Sequence, residues 1–163
     1  MNNQLSYKTI SEMIRHLPGG ARLLGLDVGT KTIGLAISDS NFKVAVAVDT
    51  IRRTKFTRDL EQLKEIIKNR SIGGLVIGLP ISMDGTEGPA CQSIRQFSTN
   101  VINQIEIGIT FWDERLSTSA VQRFLTSEAD ITRKQRRRVV DKLAATYILQ
   151  GAIDSLPTSP NSR

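Results

Sequence analysis

The sequence is poor in the residues from which several kinds of site are built. Its 163 residues include one cysteine, Cys91, and one histidine, His16. A lone cysteine excludes an internal disulfide framework and a thiolate-based zinc cage. A lone histidine argues against His-rich metal sites and against a Ser-His-Asp triad. Aromatic residues make up 5% of the chain, which gives little support to a stacking platform for single-stranded bases. No apolar run approaches the roughly 18 residues of a membrane span. The opening Met1-Asn2-Asn3-Gln4-Leu5 lacks the charged start and apolar stretch of a signal peptide. The expectation is a cytoplasmic protein with no membrane partner.

What the chain has in excess is positive charge. There are 22 Lys+Arg against 16 Asp+Glu, a net charge of +6, and a pI of about 9.8. Such an excess favours polyanionic partners through counterion release. Part of it is localised, because residues 133–138 read Arg-Lys-Gln-Arg-Arg-Arg. A charge run is ordinarily a solvated loop or helix face. This one stands just before the apolar-periodic segment from Val139, where cations oppose the helix macrodipole. An external anion would offset that cost. With 39% hydrophobic and 23% charged residues, the composition is that of one folded domain. We read residues 1–163 as a single domain with a core over 22–154, an extension over 1–20 and a loose tail over 157–163.

The hydrophobic pattern alternates between two periods. Leu5, Ile10, Met13, Ile14 and Leu17 predict a short helix stopped by Pro18-Gly19-Gly20. Leu23-Leu24-Gly25-Leu26 reads as a strand covered on both faces. Ile33, Leu35 and Ile37, then Val44, Val46 and Val48, alternate as two further strands joined by a turn over 38–41. Phe56, Leu60, Leu63, Ile66 and Ile67 predict an amphipathic helix over 56–69. Residues 74–79 form a buried strand ended by Pro80, and 81–88 a loop. Pro89 suits the first turn of a helix carrying Ile94, Phe97, Val101 and Ile105. Residues 107–112 give a fifth strand. Ser117 is a candidate N-cap for a helix with Val121, Phe124 and Leu125, and a last helix runs from Val139 to about Ser155. Three strands joined by short turns should be antiparallel, and later ones crossing over through helices should be parallel. A mixed five-stranded α/β sheet with helices on both faces follows.

Three acids fall at element ends that such a sheet could bring together. Asp27 closes the first buried strand, Glu114 closes the fifth, and Asp141 lies in the first turns of the last helix. Strand ends are where ligands bind in open α/β sheets. Taken singly, each acid has a plain structural reading, as Asp27 could serve a turn before Gly29. Taken together, clustered carboxylates repel and call for hard cations such as Mg²⁺ or Mn²⁺. One or two such ions could act on a phosphodiester. Ala144 and Ala145 leave a flat helix face beside Asp141, through which the helix could approach the sheet. Gly29-Thr30-Lys31-Thr32 could hold a phosphate or simply make a tight turn. It does not match a Gly-x-x-x-x-Gly-Lys-Ser/Thr loop. His16, Cys91 and Trp112 read as packing residues.

Four blocks also resemble a known family. They are Leu24-Gly25-Leu26-Asp27-Val28-Gly29-Thr30-Lys31-Thr32-Ile33-Gly34-Leu35-Ala36; Val76 to Pro80 with Met83-Asp84-Gly85-Thr86-Glu87-Gly88; Asp113-Glu114-Arg115-Leu116-Ser117-Thr118; and Val140-Asp141-Lys142-Leu143-Ala144-Ala145. In this order they resemble the YqgF family, also called RuvX-like Holliday junction resolvases and pre-16S rRNA nucleases. The resemblance covers roughly residues 22–153. It implies an RNase H-like fold and a role in maturing the 5′ end of 16S rRNA. It further implies that Asp27, Glu114 and Asp141 are the catalytic, metal-binding trio. Lys31 and Arg115 become candidates for phosphate contact, and Asp84 with Gly85 for a loop over the cleft.

The leading expectation is therefore a metal-dependent endonuclease acting on structured RNA, above all precursor rRNA, or on branched DNA. Ribosomal particles are candidate partners. Thr30, Lys31, Arg115, Arg133, Lys134, Arg136, Arg137 and Arg138 would hold the nucleic-acid backbone. The alternatives are a Holliday junction resolvase and a non-catalytic nucleic-acid-binding factor in ribosome assembly or transcription. A nucleotide-dependent phosphotransferase ranks last: the Asp27-Val28-Gly29-Thr30-Lys31-Thr32 turn resembles the phosphate loop of the sugar kinase and actin superfamily, which generally needs two such domains.

Overall fold

The computed structural model describes residues 5–116 and 133–158, with side chains at all of these except 133–142. The elements are β1 (Ser6–Tyr7), α1 (Ile10–Ile14), β2 (Arg22–Val28), β3 (Thr32–Ser38), β4 (Ala45–Arg52), α2 (Phe56–Asn69), β5 (Ile72–Leu79), α3 (Pro89–Gln104), β6 (Gly108–Asp113), a 3-10 turn (Glu114–Leu116) and α4 (Arg133–Asp154). They form one six-stranded sheet in the order β1-β6-β5-β2-β3-β4. The pairs β2–β3 and β3–β4 are antiparallel, while β2–β5, β5–β6 and β1–β6 are parallel. With β1 set aside, three antiparallel strands followed by two parallel ones make the RNase H-like arrangement.

The sixth strand corrects the expected count of five. The segment expected as one helix over 5–17 is split between β1 and α1. Two residues of strand carry no periodicity, and β1 exists only because Ser6 and Tyr7 find Ile109 and Thr110 alongside. Residues 1–20 are thus partly built into the domain. Met13 of α1 is fully buried, and its side chain lies against Gly74 and Gly108.

Period-two alternation sends successive side chains to opposite faces of the sheet. One face carries Leu24, Leu26, Leu35, Leu75, Ile77 and Ile109, which pack with α2 and α3 in the larger core. The other carries Leu23, Ala36 and Val76, which meet Met13, Ala145, Ile148 and Leu149 from α1 and α4. Each fully buried Leu or Ile contributes on the order of 1.5–3 kcal/mol. α2 spans 56–69 as its periodicity predicts, and Pro89 opens α3.

α4 begins at Arg133, six residues before the start expected at Val139. Its basic opening has no apolar stripe to betray it as helical. The cations of 133–138 therefore occupy its first turns, where the backbone dipole disfavours them. The helix expected after Ser117, with Val121, Phe124 and Leu125, lies outside the described residues, as does most of the tail. No helix among the described residues is long and apolar enough to cross a membrane.

At one end of the sheet the β3–β4 turn is held by Asp39. Its carboxylate accepts from the backbone N–H groups of Asn41 (3.3 Å), Lys43 (2.7 Å) and Val44 (3.0 Å). The same turn is tied to α4 by Gln150. That side chain accepts from the Ala45 N–H (2.8 Å) and donates to the Lys43 carbonyl (3.1 Å).

Candidate functional site

The opposite end of the sheet collects the chemistry. β2, β5 and β6 all finish there, and the β2–β3 turn and the loops after Leu79 and Asp113 project from it. Asp27 is the penultimate residue of β2 and is half-buried. Its cross-strand partner is Gly34, so both lie on the face that α4 covers. Glu114 opens the 3-10 turn just beyond β6, one residue later than the strand position expected for it. Its side chain folds back across β5. A Cβ added to Gly78 would land on Glu114 Oε1 and lie 2.5 Å from Ile148 Cδ1. Gly78 faces Trp112 of β6 and follows Ile77, which pairs with Leu26 of β2. It thus makes the gap between Asp27 and Glu114.

The electrostatics register the approach. The Glu114 carboxyl is pushed up from 4.5 to about 7, first by burial, then by the charge of Asp27 and then by that of Asp113. Asp113 itself is directed to the other face. It forms a double-pronged ion pair with Arg115, whose Nη2 donates to Oδ2 at 2.6 Å and whose Nε donates at 2.9 Å. The Arg115 guanidinium also holds its carboxyl below the usual range, against an opposing effect of burial.

Asp141 lies in α4, one helical turn before Ala145, and its side chain is outside the described residues. The placement of its helix is clear. A Cβ on Gly25 would sit 2.7 Å from Leu149 Cβ and 3.0 Å from the Ala145 carbonyl, so α4 rests directly on β2. Gln150 sits at the Asp39 end, so the chain of α4 before Ala145 extends toward the Asp27 end. The side chains of Arg133, Lys134, Arg136, Arg137 and Arg138 are likewise outside the described residues. Among the described residues no group of three His, Cys, Asp or Glu is arranged to hold a metal. The donors present, Asp27 and Glu114, are hard carboxylate oxygens of the kind that Mg²⁺ and Mn²⁺ prefer. A cation between them would offset the repulsion that raises Glu114.

The remaining predicted residues surround this pair. Thr30 and Lys31 are exposed in the β2–β3 turn, which closes through a Gly29 N–H donated to the Thr32 carbonyl at 2.8 Å. Arg115, beyond its pairing with Asp113, reaches the Ser82 and Met83 carbonyls at 3.5 Å. It therefore ties the 81–88 loop to the end of β6. Within that loop Asp84 Oδ1 accepts from the Thr86 hydroxyl (2.6 Å) and N–H (3.0 Å), and Gly85 takes a φ of +87° that favours glycine. Cys91 is fully buried and its thiol is pushed up by burial, as befits a packing residue. His16 stacks on Tyr7, and Trp112 lies against Gly151.

Sequence reasoning missed two residues here. Gly78 is inconspicuous inside an apolar strand, although an interior strand glycine is itself a sign of close approach. Arg53 is the other. Its Nη1 donates to the Gly29 carbonyl at 2.6 Å, its N–H donates to the Lys31 carbonyl at 2.8 Å, and its guanidinium lies 5.6 Å from the Phe97 ring centroid. Nothing in the sequence pattern distinguishes it from Arg52.

Comparison with known proteins places the chain in a family. Residues 21–155 match the family model described as RuvX, Holliday junction resolvase. A protein of Paramagnetospirillum magneticum is 55% identical over 145 residues, covering 89% of this chain and 93% of its own length. One of Rhodospirillum centenum is 52% identical over 157 residues, covering 93% and 83%. Both carry the name "Putative pre-16S rRNA nuclease". This chain belongs to the RuvX family, the one that its four sequence blocks resemble. Among solved structures, the Fowlpox virus resolvase in complex with Holliday junction DNA matches at 11% identity and a TM-score of 0.49, over 84% of this chain and 99% of its own. RuvC of T. thermophilus in complex with a Holliday junction substrate matches at 9% identity and 0.45, over 78% and 91%.

Proposed function

We propose that this chain is a divalent-metal-dependent endonuclease that hydrolyses phosphodiesters in structured RNA, and that its task is 5′-end processing of pre-16S rRNA in the cytoplasm. One observation carries the reading. Asp27 and Glu114, distant along the chain, share the α4 face at the ends of the two parallel strands that flank β5, close enough that the charge of one raises the other. Membership of the RuvX family and the name shared by its relatives supply the substrate class.

In this reading Asp27, Glu114 and Asp141 hold one or two Mg²⁺ or Mn²⁺ ions. When bound, such an ion lends positive charge to the phosphate under attack and lowers the pKa of the attacking water. Water adds to phosphorus, the bond to the leaving oxygen breaks, and the chain's own groups set the geometry. Thr30 and Lys31, presented by the clamped β2–β3 turn, and the cations of 133–138 hold the backbone. Such phosphate contacts orient a substrate without reading its sequence. Arg115 keeps the 81–88 loop, with Asp84 and Gly85, at the edge of the cleft. With precursor 16S rRNA as substrate, ribosomal particles are the natural setting.

The test is to incubate the protein with precursor 16S rRNA fragments and with four-way DNA junctions, in Mn²⁺ or in EDTA, and to map the ends. Metal-dependent cuts in the RNA are expected. Asp27→Asn should reduce cleavage to background while binding in EDTA persists. Unchanged turnover in that variant would refute the metal assignment. Cuts confined to the junction would instead support a Holliday junction resolvase, the activity that the family description names.

A further inference from the structure

The carboxylate pair occupies one side of the active edge, and the other side carries a feature that it does not explain. Two separate segments, the β2–β3 turn over 29–31 and the link from β4 to α2 over 52–55, are locked together there. Arg53 does the locking, through its bonds to the Gly29 and Lys31 carbonyls and its position over Phe97. Thr54 extends the lock. Its N–H and hydroxyl both donate to Asp59 Oδ1 (3.0 and 3.1 Å), and Asp59 is buried at the start of α2.

The result is a rigid platform whose projecting side chains are cations. Lys31, Arg52, Lys55 and Arg58 are all exposed. The ion pairs among the described residues are Arg95–Glu87 and Arg115–Asp113, so none of these four is neutralised by one. Asp59, next to Arg58 in the chain, is turned inward onto Thr54. Four unneutralised cations around a preorganised turn cost self-repulsion that an external polyanion would relieve.

Register links this platform to the carboxylates. Arg52 pairs with Thr32, two residues before Gly34 on β3, and Gly34 pairs with Asp27. Alternation therefore puts Arg52, Thr32, Gly34 and Asp27 on one face of the sheet. Two strand spacings and two residues along the strand separate Arg52 from Asp27, about 12 Å between Cα atoms. A backbone lying across the carboxylates continues onto Arg52 without meeting a bulky side chain at Gly34.

We propose that Lys31, Arg52 and Lys55, set by Arg53, form a phosphate-binding shelf that seats the sugar-phosphate backbone flanking the scissile bond, on the β3–β4 side of the site. This rests on the nuclease reading above, which already uses Lys31, and extends it to Arg52, Arg53 and Lys55, which that reading does not use. The ligand chemistry is the phosphodiester backbone, shared by duplex RNA and branched DNA.

The test measures binding, not cleavage. Fluorescence anisotropy in EDTA, as a function of salt, would use a labelled duplex RNA from the 16S precursor end and a labelled four-way DNA junction. The triple variant K31A/R52A/K55A is compared with K43A/K68A/R70A, which removes the same charge from exposed residues at the other end of the sheet. The shelf variant should lower the slope of log K against log salt by about 2–3 and the control by less than about 1. All six positions are exposed, and a melting curve for each variant checks folding. The arm with the larger loss identifies RNA or DNA as the source of the phosphates, and either supports the shelf. Equal losses in the two variants, or an unchanged slope in the shelf variant, would overturn the shelf and leave the nuclease reading standing. Failure of the wild type to bind either probe would overturn both.

Discussion

The two ends of this sheet use the same residue type to opposite effect. At the β3–β4 turn Asp39 is surrounded by donors, and three backbone N–H groups hold its carboxyl below the usual range although burial opposes them. At the other end Glu114 meets burial and two more acids, and its carboxyl rises to about 7. Asp39 completes a turn that needs an acceptor. Glu114 is half-buried over a strand that has no side chain of its own at Gly78. An acid whose folded surroundings lower its pKa stabilises the structure. An acid whose surroundings raise it is held in place at a cost, which is the pattern of groups retained for chemistry.

The sharpest way to break this contrast is to add one methyl group at each end. Gly78→Ala pushes on Glu114 Oε1 and Ile148 Cδ1. Cleavage should fall about 10–100-fold, since small misplacements of reacting groups cost that much, with a stability loss of about 1–3 kcal/mol. Gly73→Ala at the far end meets Ala21 Cβ at 2.7 Å and should cost similar stability. Its cleavage per folded molecule should be unchanged. Equal activity losses in the two variants would dissolve the distinction between the ends.

Asp39→Ala should lose about 1–2 kcal/mol at neutral pH, read by denaturant unfolding, and leave cleavage intact. Because the folded value of Asp39 is lowered, its contribution is present above 3.8 and fades as pH falls through that lowered value. The difference between variant and wild type should shrink there. Glu114 runs the other way. Its folded value lies above 4.5, so in EDTA its contribution is complete below 4.5 and is lost as pH rises to about 7. Melting of Glu114→Gln across pH 5–8 should therefore decline less than that of the wild type. The smallest effect belongs to neither end. Thr110 is 1% exposed and its hydroxyl has no hydrogen-bond partner among the described residues. Thr110→Val should stabilise by about 1 kcal/mol without changing cleavage.

How far the sequence foretold this molecule depended on whether a residue's role was local. α2 was readable over its full length because five apolar residues at helical spacing stand in a charged background. The mixed topology followed from turn lengths alone. β1 was not readable, since its two residues are a strand only by virtue of β6. The start of α4 is not legible because Arg133 to Arg138 offer charge without periodicity. Within the site, Asp27 and Glu114 stood out as acids ending apolar strands. Gly78 and Arg53 did not, because their roles exist only across strands: Gly78 against a residue of β6's extension, Arg53 against a turn 24 residues earlier.

Gly78 carries one further consequence. The volume above it is claimed by two neighbours, a carboxylate from the end of β6 and an isoleucine from α4. Positions 78, 114 and 148 are therefore a single steric unit, in which enlargement of one member demands shrinkage of another. A relative with a larger residue at the first position would be expected to have surrendered either its glutamate or the branch of its isoleucine. A suppressor of Gly78→Ala should accordingly be sought at Ile148 rather than beside the mutated strand.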